Sequence, residues 1–184
     1  MRDLSLHLMD LVQNSITAGA ALIKVSVFQK DDGLLGFMIE DDGCGMDEET
    51  REKALSPFGT SRTTRKVGLG IPLTREHALI TGGSFDLESK KGQGTSLQAV
   101  FNTRHIDCQP LGNLGETLLT LILANPDTPD FVMTLSSEGA QESLDTRQIK
   151  EVLGEVPIND PAVVTWLMEN INEMLNQTLG GVEK

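Results

Sequence analysis

Two polar side chains near the amino terminus, Asp10 and Asn14, lie four residues apart in a stretch whose apolar residues recur at helical spacing. On a helix, side chains at positions i and i+4 project from the same face, one turn apart. The amide oxygen of Asn14 is a suitable ligand for Mg²⁺, an ion that proteins often hold together with phosphate groups. The pair indicates a helical face that could take part in phosphate chemistry, although surface helices often carry Asp and Asn at this spacing.

A second candidate is an acidic turn after an apolar strand, with the sequence Ile39-Glu40-Asp41-Asp42-Gly43-Cys44-Gly45-Met46. The Asp41 carboxylate can accept a hydrogen bond from an exocyclic amine such as that of adenine. Gly43 and Gly45 lack side chains, so the backbone can approach a flat ligand closely. The alternative is an acidic turn without this role, and Cys44 is interpreted as a small buried thiol.

A third candidate opens a predicted helix, with the sequence Lys66-Val67-Gly68-Leu69-Gly70-Ile71-Pro72. Backbone amides at a helix N-terminus can hold anionic oxygens. Gly68, Leu69 and Gly70 are therefore candidate phosphate-binding residues. The alternative is a tight turn that only starts the helix.

The residues just before this helix, 56–68, are polar, show no periodicity and include the cations Arg62 and Lys66. This composition predicts a mobile lid over phosphate groups. The alternative is a static surface loop.

The hydrophobic pattern predicts the elements that must position these segments. Apolar residues at helical spacing predict a first helix from Asp3 to Ala18, and alternation predicts strands at 22–30 and 34–40 joined as a hairpin. The further predicted elements are helices at 47–55 and 71–80, strands at 84–89 and 95–102, a helix at 114–124, a hairpin at 131–144, a helix from Asp145 to Gly154, and a final helix from Asp160.

Two predictions concern helix faces. His7 is assigned to the polar side of the first helix, and none of the three histidines stands in a recognisable phosphoacceptor context. The final helix is expected to pack into the core through an apolar stripe of Val164, Leu167, Met168, Ile171, Met174 and Leu175.

Taken in this order, with Thr95 following the turn Gly92-Gln93-Gly94, the three segments resemble the GHKL ATP-binding superfamily. This superfamily includes DNA gyrase B, the ninety-kilodalton chaperones, histidine kinases and MutL. The resemblance covers residues 3–102; its first two segments are most similar to MutL, and the stretch from Pro57 to Phe101 to sensor histidine kinases. The whole chain is also similar to small stand-alone bacterial proteins described as histidine-kinase-like ATP-binding proteins.

The resemblance implies an α/β two-layer sandwich of the Bergerat type, with ATP bound between a mixed sheet and the helices, and here a small α+β C-terminal extension. It implies that Asp41 binds adenine, that Asn14 is a ligand of Mg²⁺, and that Asp10 occupies the catalytic position. The remaining implied nucleotide-binding residues are Gly43, Gly45, Met46, Arg62, Lys66, Gly68, Leu69, Gly70 and Thr95.

Two positions depart from the superfamily's hydrolases. These enzymes have Glu where this chain has Asp10, and MutL and gyrase have Asp where it has Thr17. The departures predict intact nucleotide binding with slow hydrolysis. Neither the second domain of MutL and gyrase nor the phosphoacceptor domain of a kinase is expected in this sequence.

Charge divides the chain of 184 residues into two parts. Residues 1–104 have 12 basic and 14 acidic groups, whereas residues 105–184 have 3 and 13, so most of the net charge of −12 lies in the second part. We expect an ATP-binding domain at 1–104 and an acidic α+β domain at 105–184. An acidic chain with a pI of about 4.6 argues against nucleic acid as the main partner.

Other features predict location and partners. No apolar run is long enough to span a bilayer. Two cysteines do not make a disulfide framework, so a cytoplasmic location is expected. The acidic second part predicts docking to a protein partner or to a second copy, as in a homodimer.

Three functions remain open at this point. The first is a kinase module that binds Mg·ATP and transfers phosphate to a separate protein. The second is a non-catalytic switch that binds a partner differently with and without ATP, and the third is a slow ATPase of the MutL kind.

Overall fold

The computed structural model describes residues 2–30, 32–56 and 69–180. In chain order, the elements within these residues are α1 (Leu4–Thr17), β1 (Leu22–Gln29), β2 (Leu34–Asp41), α2 (Glu48–Leu55), α3 (Gly70–Ile80), β3 (Ser84–Lys90), β4 (Gly94–Asn102), α4 (Leu114–Ala124), β5 (Asp130–Ser137), β6 (Ala140–Asp145), α5 (Thr146–Leu153) and α6 (Pro161–Leu179). Each predicted helix and strand is present to within one or two residues. The lid predicted at 56–68, with Arg62, Lys66 and Gly68, lies outside the described residues except for Ser56.

The six described strands form one mixed sheet in the order β3-β4-β2-β1-β5-β6. β1 pairs with β5 in parallel, with Val25 opposite Met133, and the other neighbouring strands are antiparallel. The hairpin of β5 and β6 therefore extends the sheet formed by the first four strands. The division of the chain into two domains at residue 104 stays a prediction, and the sheet itself continues across that position.

Alternation along the strands places the core on the helix-covered face of the sheet. Ile23, Val25 and Val27 of β1 are almost fully buried, whereas Lys24 between them is exposed. Because side chains alternate between the two faces of a strand, the buried residues share the face that packs against the helices. This is the predicted two-layer α/β sandwich, with the C-terminal helices α4 and α6 packed on each other and α6 also on β5 and β6.

The first helix is held at its start by the segment that leads into the second part of the chain. Asp3 caps α1 by accepting a hydrogen bond from the Leu6 amide at 2.9 Å. The amides of Leu4 and Ser5 donate to the carbonyls of Pro110 and Leu111, each at 2.9 Å. The position of α1 is therefore coupled to the segment around residue 110.

The assignment of His7 to a polar face was wrong. His7 is only 2% exposed because α3 covers this side of α1. Its Nδ1 lies 2.8 Å from Thr74 Oγ1, its Nε2 lies 3.0 Å from Gln109 Oε1, and its ring stacks on that of His77. A polar residue that looked solvated along the helix thus joins α1, α3 and the connecting segment.

The stripe predicted for the last helix is confirmed at Leu167, Ile171 and Met174 and was wrong at Met168. Met168 is 47% exposed, and the buried positions of α6 include Val163, Leu167, Ile171 and Met174. These four follow the spacing of three to four residues that one helical face requires. None of the helices in the described parts of the chain is long and apolar enough to cross a membrane.

Candidate functional site

A cavity of about 710 Å³ opens between the sheet and the helices α1, α2 and α3. Its volume is within the range of about 300–1,000 Å³ that small-molecule sites occupy. Its apolar walls are formed by Leu11, Ala18, Ile39, Met46, Ala54, Ile71 and Leu97. Its polar lining is formed by Asn14, Ser15, Thr17, Asp41, Thr50 and Thr95, with Cys44 and Gly45 at the turn after β2.

Asp41 is held in one orientation at the end of β2. Ser15 Oγ donates to one carboxylate oxygen at 2.6 Å, and the amide of Gly43 donates to the other at 2.9 Å. Each carboxylate oxygen can accept more than one hydrogen bond, so acceptor capacity remains for a ligand. Thr95 lies opposite Asp41 in the β2–β4 register and also lines the cavity. The geometry suits recognition of an amine edge on a flat ring.

The residue that orients Asp41, Ser15, was not among the candidates from the sequence. A signal for it was available, because Ser15 follows Leu8 and Leu11 at helical spacing and therefore stands on the apolar face of α1. A hydroxyl on such a face is buried and needs a partner. Here that partner is the carboxylate of Asp41.

Two turns pack closely at this end of the cavity. Gly45 has φ +59°, and a Cβ there would lie 2.1 Å from the Lys90 carbonyl oxygen. Gly94 has φ +93°, and a Cβ there would lie 1.9 Å from the Asp41 carbonyl oxygen. Both positions require glycine, because a side chain is excluded by backbone atoms as well as by the positive φ.

The remaining residues predicted in this turn differ in placement. Met46 lines the cavity, and its amide donates to Ser89 Oγ at 2.8 Å. Gly43 is buried against Ala18 and contributes its amide to Asp41 without lining the cavity. Cys44 is exposed and lines the cavity, so its interpretation as a buried thiol was wrong. Both Cys44 and Cys108 are free thiols.

Asp10 and Asn14 come together with the start of α3. A Cβ built on Gly70 would lie 3.2 Å from the Asp10 Cβ and 3.9 Å from the Asn14 Nδ2, so a close approach of α3 to α1 depends on this glycine. Among the described residues, no side chain caps the N-terminus of α3, where Leu69 is 55% exposed. Uncapped amides at a helix start are suited to anionic oxygens.

The polar side chains of the cavity can hold a divalent ion only if a bound ligand supplies further oxygen atoms. In the part of the chain that the structure describes, no group of three or more His, Cys, Asp or Glu residues could hold a metal. Asn14 offers a neutral oxygen donor in the cavity lining. Mg²⁺ is commonly bound by few protein groups together with substrate phosphates and water, so the set fits Mg²⁺ carried by a phosphate ligand.

The fold and the cavity together define an α/β sandwich with a small-molecule pocket between its sheet and its helices. Comparison with known families identifies it further: residues 2–105 match the family of histidine kinase-, DNA gyrase B- and HSP90-like ATPases. The chain belongs to this family, the GHKL superfamily, and membership implies ATP binding.

Similar proteins include several histidine kinases. A probable C4-dicarboxylate sensor kinase of Bacillus subtilis is 31% identical over 47% of this chain and 16% of its own length. The histidine protein kinase DivJ of Caulobacter vibrioides is 34% identical over 36% of this chain and 12% of its own length. This chain thus spans a sixth or less of the length of these kinases.

Among solved structures, the N-terminal domain of a DNA repair protein superimposes with a TM-score of 0.50. It is 19% identical and covers 84% of this chain and 58% of its own. At this identity the similarity concerns the fold alone, and it extends beyond the residues that match the family.

Proposed function

We propose that the cavity binds Mg·ATP and that the chain acts as a regulatory kinase module, which passes the γ-phosphoryl group to a separate protein. The observation that carries the proposal is the carboxylate of Asp41, held by Ser15 and Gly43 inside a cavity with apolar walls. Family membership supports ATP as the ligand. The histidine kinases among the relatives support transfer to a protein.

The two ends of the cavity suit the two ends of ATP. Asp41 and Thr95 are assigned to the adenine, because a fixed carboxylate can accept from its exocyclic amine. Asn14 and the start of α3 at Gly70, which no described side chain caps, are assigned to the phosphates. Mg²⁺, when bound through Asn14, would neutralise charge on the phosphate oxygens. Arg62 and Lys66, which lie outside the described residues, are also assigned to the phosphates, as cations.

The proposed reaction moves the γ-phosphoryl group from ATP to the acceptor protein, and it conserves atoms and charge. The bond between the γ-phosphorus and the bridging oxygen breaks, ADP leaves with that oxygen, and a nucleophilic side chain of the acceptor protein forms the new bond to phosphorus. The acceptor's proton is released to Asp10 or to solvent. Phosphoryl transfer depends mainly on positioning and electrostatics, so a short carboxylate at position 10 is adequate for it.

The binding part of the proposal is tested by calorimetry of Mg·ATP with the variant Asp41→Asn. The amide nitrogen would face the adenine amine, and loss of a charged hydrogen bond costs about 1.5–3 kcal/mol. We expect the dissociation constant to rise by about 10- to 100-fold. Glu40→Gln is the matched control, because its side chain projects from the opposite face of β2 and its affinity should be unchanged.

The transfer part is tested by incubating the chain with γ-labelled ATP and cell extract, with and without Asp41→Asn. A labelled acceptor protein that disappears with the variant is the expected result. ATP binding without any labelled protein would instead favour a non-catalytic ATP-dependent switch. Rapid release of labelled inorganic phosphate would favour an ATPase of the MutL kind.

A further inference from the structure

A second concave surface lies between α5 and α6, far along the chain from the ATP cavity. This α5–α6 groove has a volume of about 450 Å³ and shares no lining residue with the cavity. It is lined by Ile149, Val152, Leu153, Ala162, Val163 and Trp166, with Gln148 at one side. It therefore presents a nearly continuous apolar surface between two helices.

The groove has a buried floor and an exposed rim: Val163 is buried, Ile149 and Leu153 are half-buried, and Val152, Ala162 and Trp166 are exposed. Val152 is 88% exposed and Trp166 is 47% exposed, although each lies within the same depression. Scattered exposed apolar residues are ordinary, and Ile106, which is 94% exposed outside the groove, is one such residue. Val152 and Trp166 differ from it, because they lie in one depression where a single ligand can cover both.

The charge beside the groove is negative. The two cations of α5 already have partners, since Lys150 Nζ lies 2.7 Å from Asp130 Oδ1 and Arg147 pairs with Asp145 at the same distance. Within residues 2–30, 32–56 and 69–180, no ion pair involves Glu151, Glu155 or Glu169. These three carboxylates are exposed and remain available to an external cation.

Helical spacing places one of these carboxylates, Glu169, beside an apolar residue of the groove. Glu169 follows Trp166 by three residues on α6, so the two side chains share a face. On α5, Glu151 directly precedes Val152, and Glu155 follows Val152 by three residues, just after the helix ends. A ligand that covers the apolar residues therefore meets the negative charge of Glu169 beside Trp166, in a part of the chain with 3 basic and 13 acidic groups.

We propose that the α5–α6 groove docks an amphipathic helix of a partner protein, with apolar side chains in the groove and Lys or Arg along its flanks. Recognition of a helix by a groove uses apolar anchors spaced by three or four residues, and an exposed Trp is a frequent centre of such interfaces. A second copy of this chain is disfavoured as the occupant, because residues 105–184 carry 3 basic and 13 acidic groups and would repel each other. The proposal does not depend on ATP binding.

Trp166 provides a direct reporter, because it is the sole tryptophan and the chain has no tyrosine. The full chain is titrated with a synthetic helical peptide that has Leu on one face and Lys on the flanks. A second peptide has the same Leu face and Glu on the flanks. We expect the Lys peptide to shift the Trp166 emission in a saturable way, with affinity falling as salt is raised. The Glu peptide should not bind measurably.

Substitutions then locate the binding surface. Val152→Asp removes an exposed anchor and should weaken the Lys peptide by about tenfold or more. Ile106→Asp is the matched control, with the same change at an equally exposed site outside the groove, and should bind normally. Glu169→Lys should weaken binding by roughly threefold at low salt and much less at high salt.

The proposal is overturned by any of three results. One is equal binding of both peptides, and another is no change in Trp166 emission with either peptide. The third is equal behaviour of Val152→Asp and Ile106→Asp. Sedimentation of the full chain supplies a further check: a dimer that Val152→Asp dissociates would assign the groove to a second copy and exclude the partner helix.

Discussion

The cavity beside Asp41 and the α5–α6 groove are both concave and partly apolar, but they are built in different ways. The end of the cavity at Asp41 is formed by backbone atoms of two turns that meet at Gly45 and Gly94. The groove is formed by side chains on two regular helices. A site built from backbone fixes hydrogen-bonding groups and tolerates few substitutions, whereas a site built from helical side chains is defined by size and charge.

The largest loss of stability is expected for Gly94→Ala, which tests whether close packing of backbone atoms forms this end of the cavity. The new Cβ would lie 1.9 Å from the Asp41 carbonyl oxygen, and φ +93° is unfavourable for any residue with a side chain. Strain and overpacking together should cost about 4 kcal/mol. For a chain of this size we expect the melting temperature to fall by about 10 °C in a calorimetric scan.

Gly139→Ala in the turn between β5 and β6 is the matched control. Gly139 has φ +107°, but nothing lies within 4 Å of the position of its Cβ. Only backbone strain is added, so the cost should be about 1–2 kcal/mol. Equal losses of stability in the two variants would show that close packing of the cavity's turns contributes nothing to stability. The cavity would then not differ from the groove in its dependence on backbone packing.

The elements and the sites were unequally predictable from the sequence. Alternation over β1 and β2 and helical spacing of apolar residues predicted the elements to within one or two residues. These signals are local, because they depend on neighbours within one strand or one helical turn. The carboxylate of Asp41 was predicted for a similar reason, since it directly follows a strand and precedes glycines.

Features that depend on distant parts of the chain were missed. His7 was assigned to solvent because nothing near it in the sequence indicates that α3 and Gln109 cover it. The addition of β5 beside β1 is a parallel pairing between residues more than one hundred positions apart, and no local pattern encodes it. The α5–α6 groove was likewise not predicted, because the apolar residues of α6 had been assigned only to the core.

A second prediction concerns His7, which joins the cavity helix α1 to the segment that leads to the second part of the chain. Burial, which outweighs the hydrogen bond that His7 Nε2 donates to Gln109 Oε1, lowers the pKa of His7 to about 4 from its ordinary value of 6.5. The unfolded chain therefore binds a proton that the folded chain does not as pH falls from 6.5 towards 4. The contribution of neutral, buried His7 to stability is fully present above pH 6.5. The free energy of unfolding should fall by up to about 3 kcal/mol as the pH falls from 6.5 towards 4.

Urea unfolding at several pH values between about 7 and 4.5 measures this loss. His77 acts in the same direction, because burial also lowers its pKa. The carboxyl pKa values of Asp42 and Asp145 are lowered by hydrogen bonds from backbone and Arg147 respectively, so their losses occur at lower pH. His7→Gln should flatten the pH dependence relative to the wild type; an unchanged slope would contradict the assignment.

The smallest expected effect tests the chemistry of the cavity. Asp10 does not line the cavity, and its Cβ lies only 3.2 Å from the position that a Cβ of Gly70 would take. A carboxylate that activates water must come within about 3 Å of it. The extra methylene in Asp10→Glu extends the carboxylate by roughly 1 Å, and displacements of this size can change rates by up to about a hundredfold. We expect slow hydrolysis in the wild type and an increase of about tenfold in Asp10→Glu, with unchanged affinity for ATP.

Steady-state release of ADP measures this rate, and two variants make the result specific. Asp10→Asn keeps the size of the side chain but not its charge, so it should show no increase. Asn14→Ala, one helical turn away, should lose the dependence of ATP binding on Mg²⁺ while leaving α1 folded.

Because Asp10 is exposed, a longer side chain can be accommodated without unfolding the helix. If Asp10→Glu lowers stability and leaves turnover unchanged, Asp10 only supports the packing of α1 against α3. Rapid hydrolysis by the wild type would instead mean that a carboxylate of this length suffices, and the proposal of a kinase module would give way to that of an ATPase.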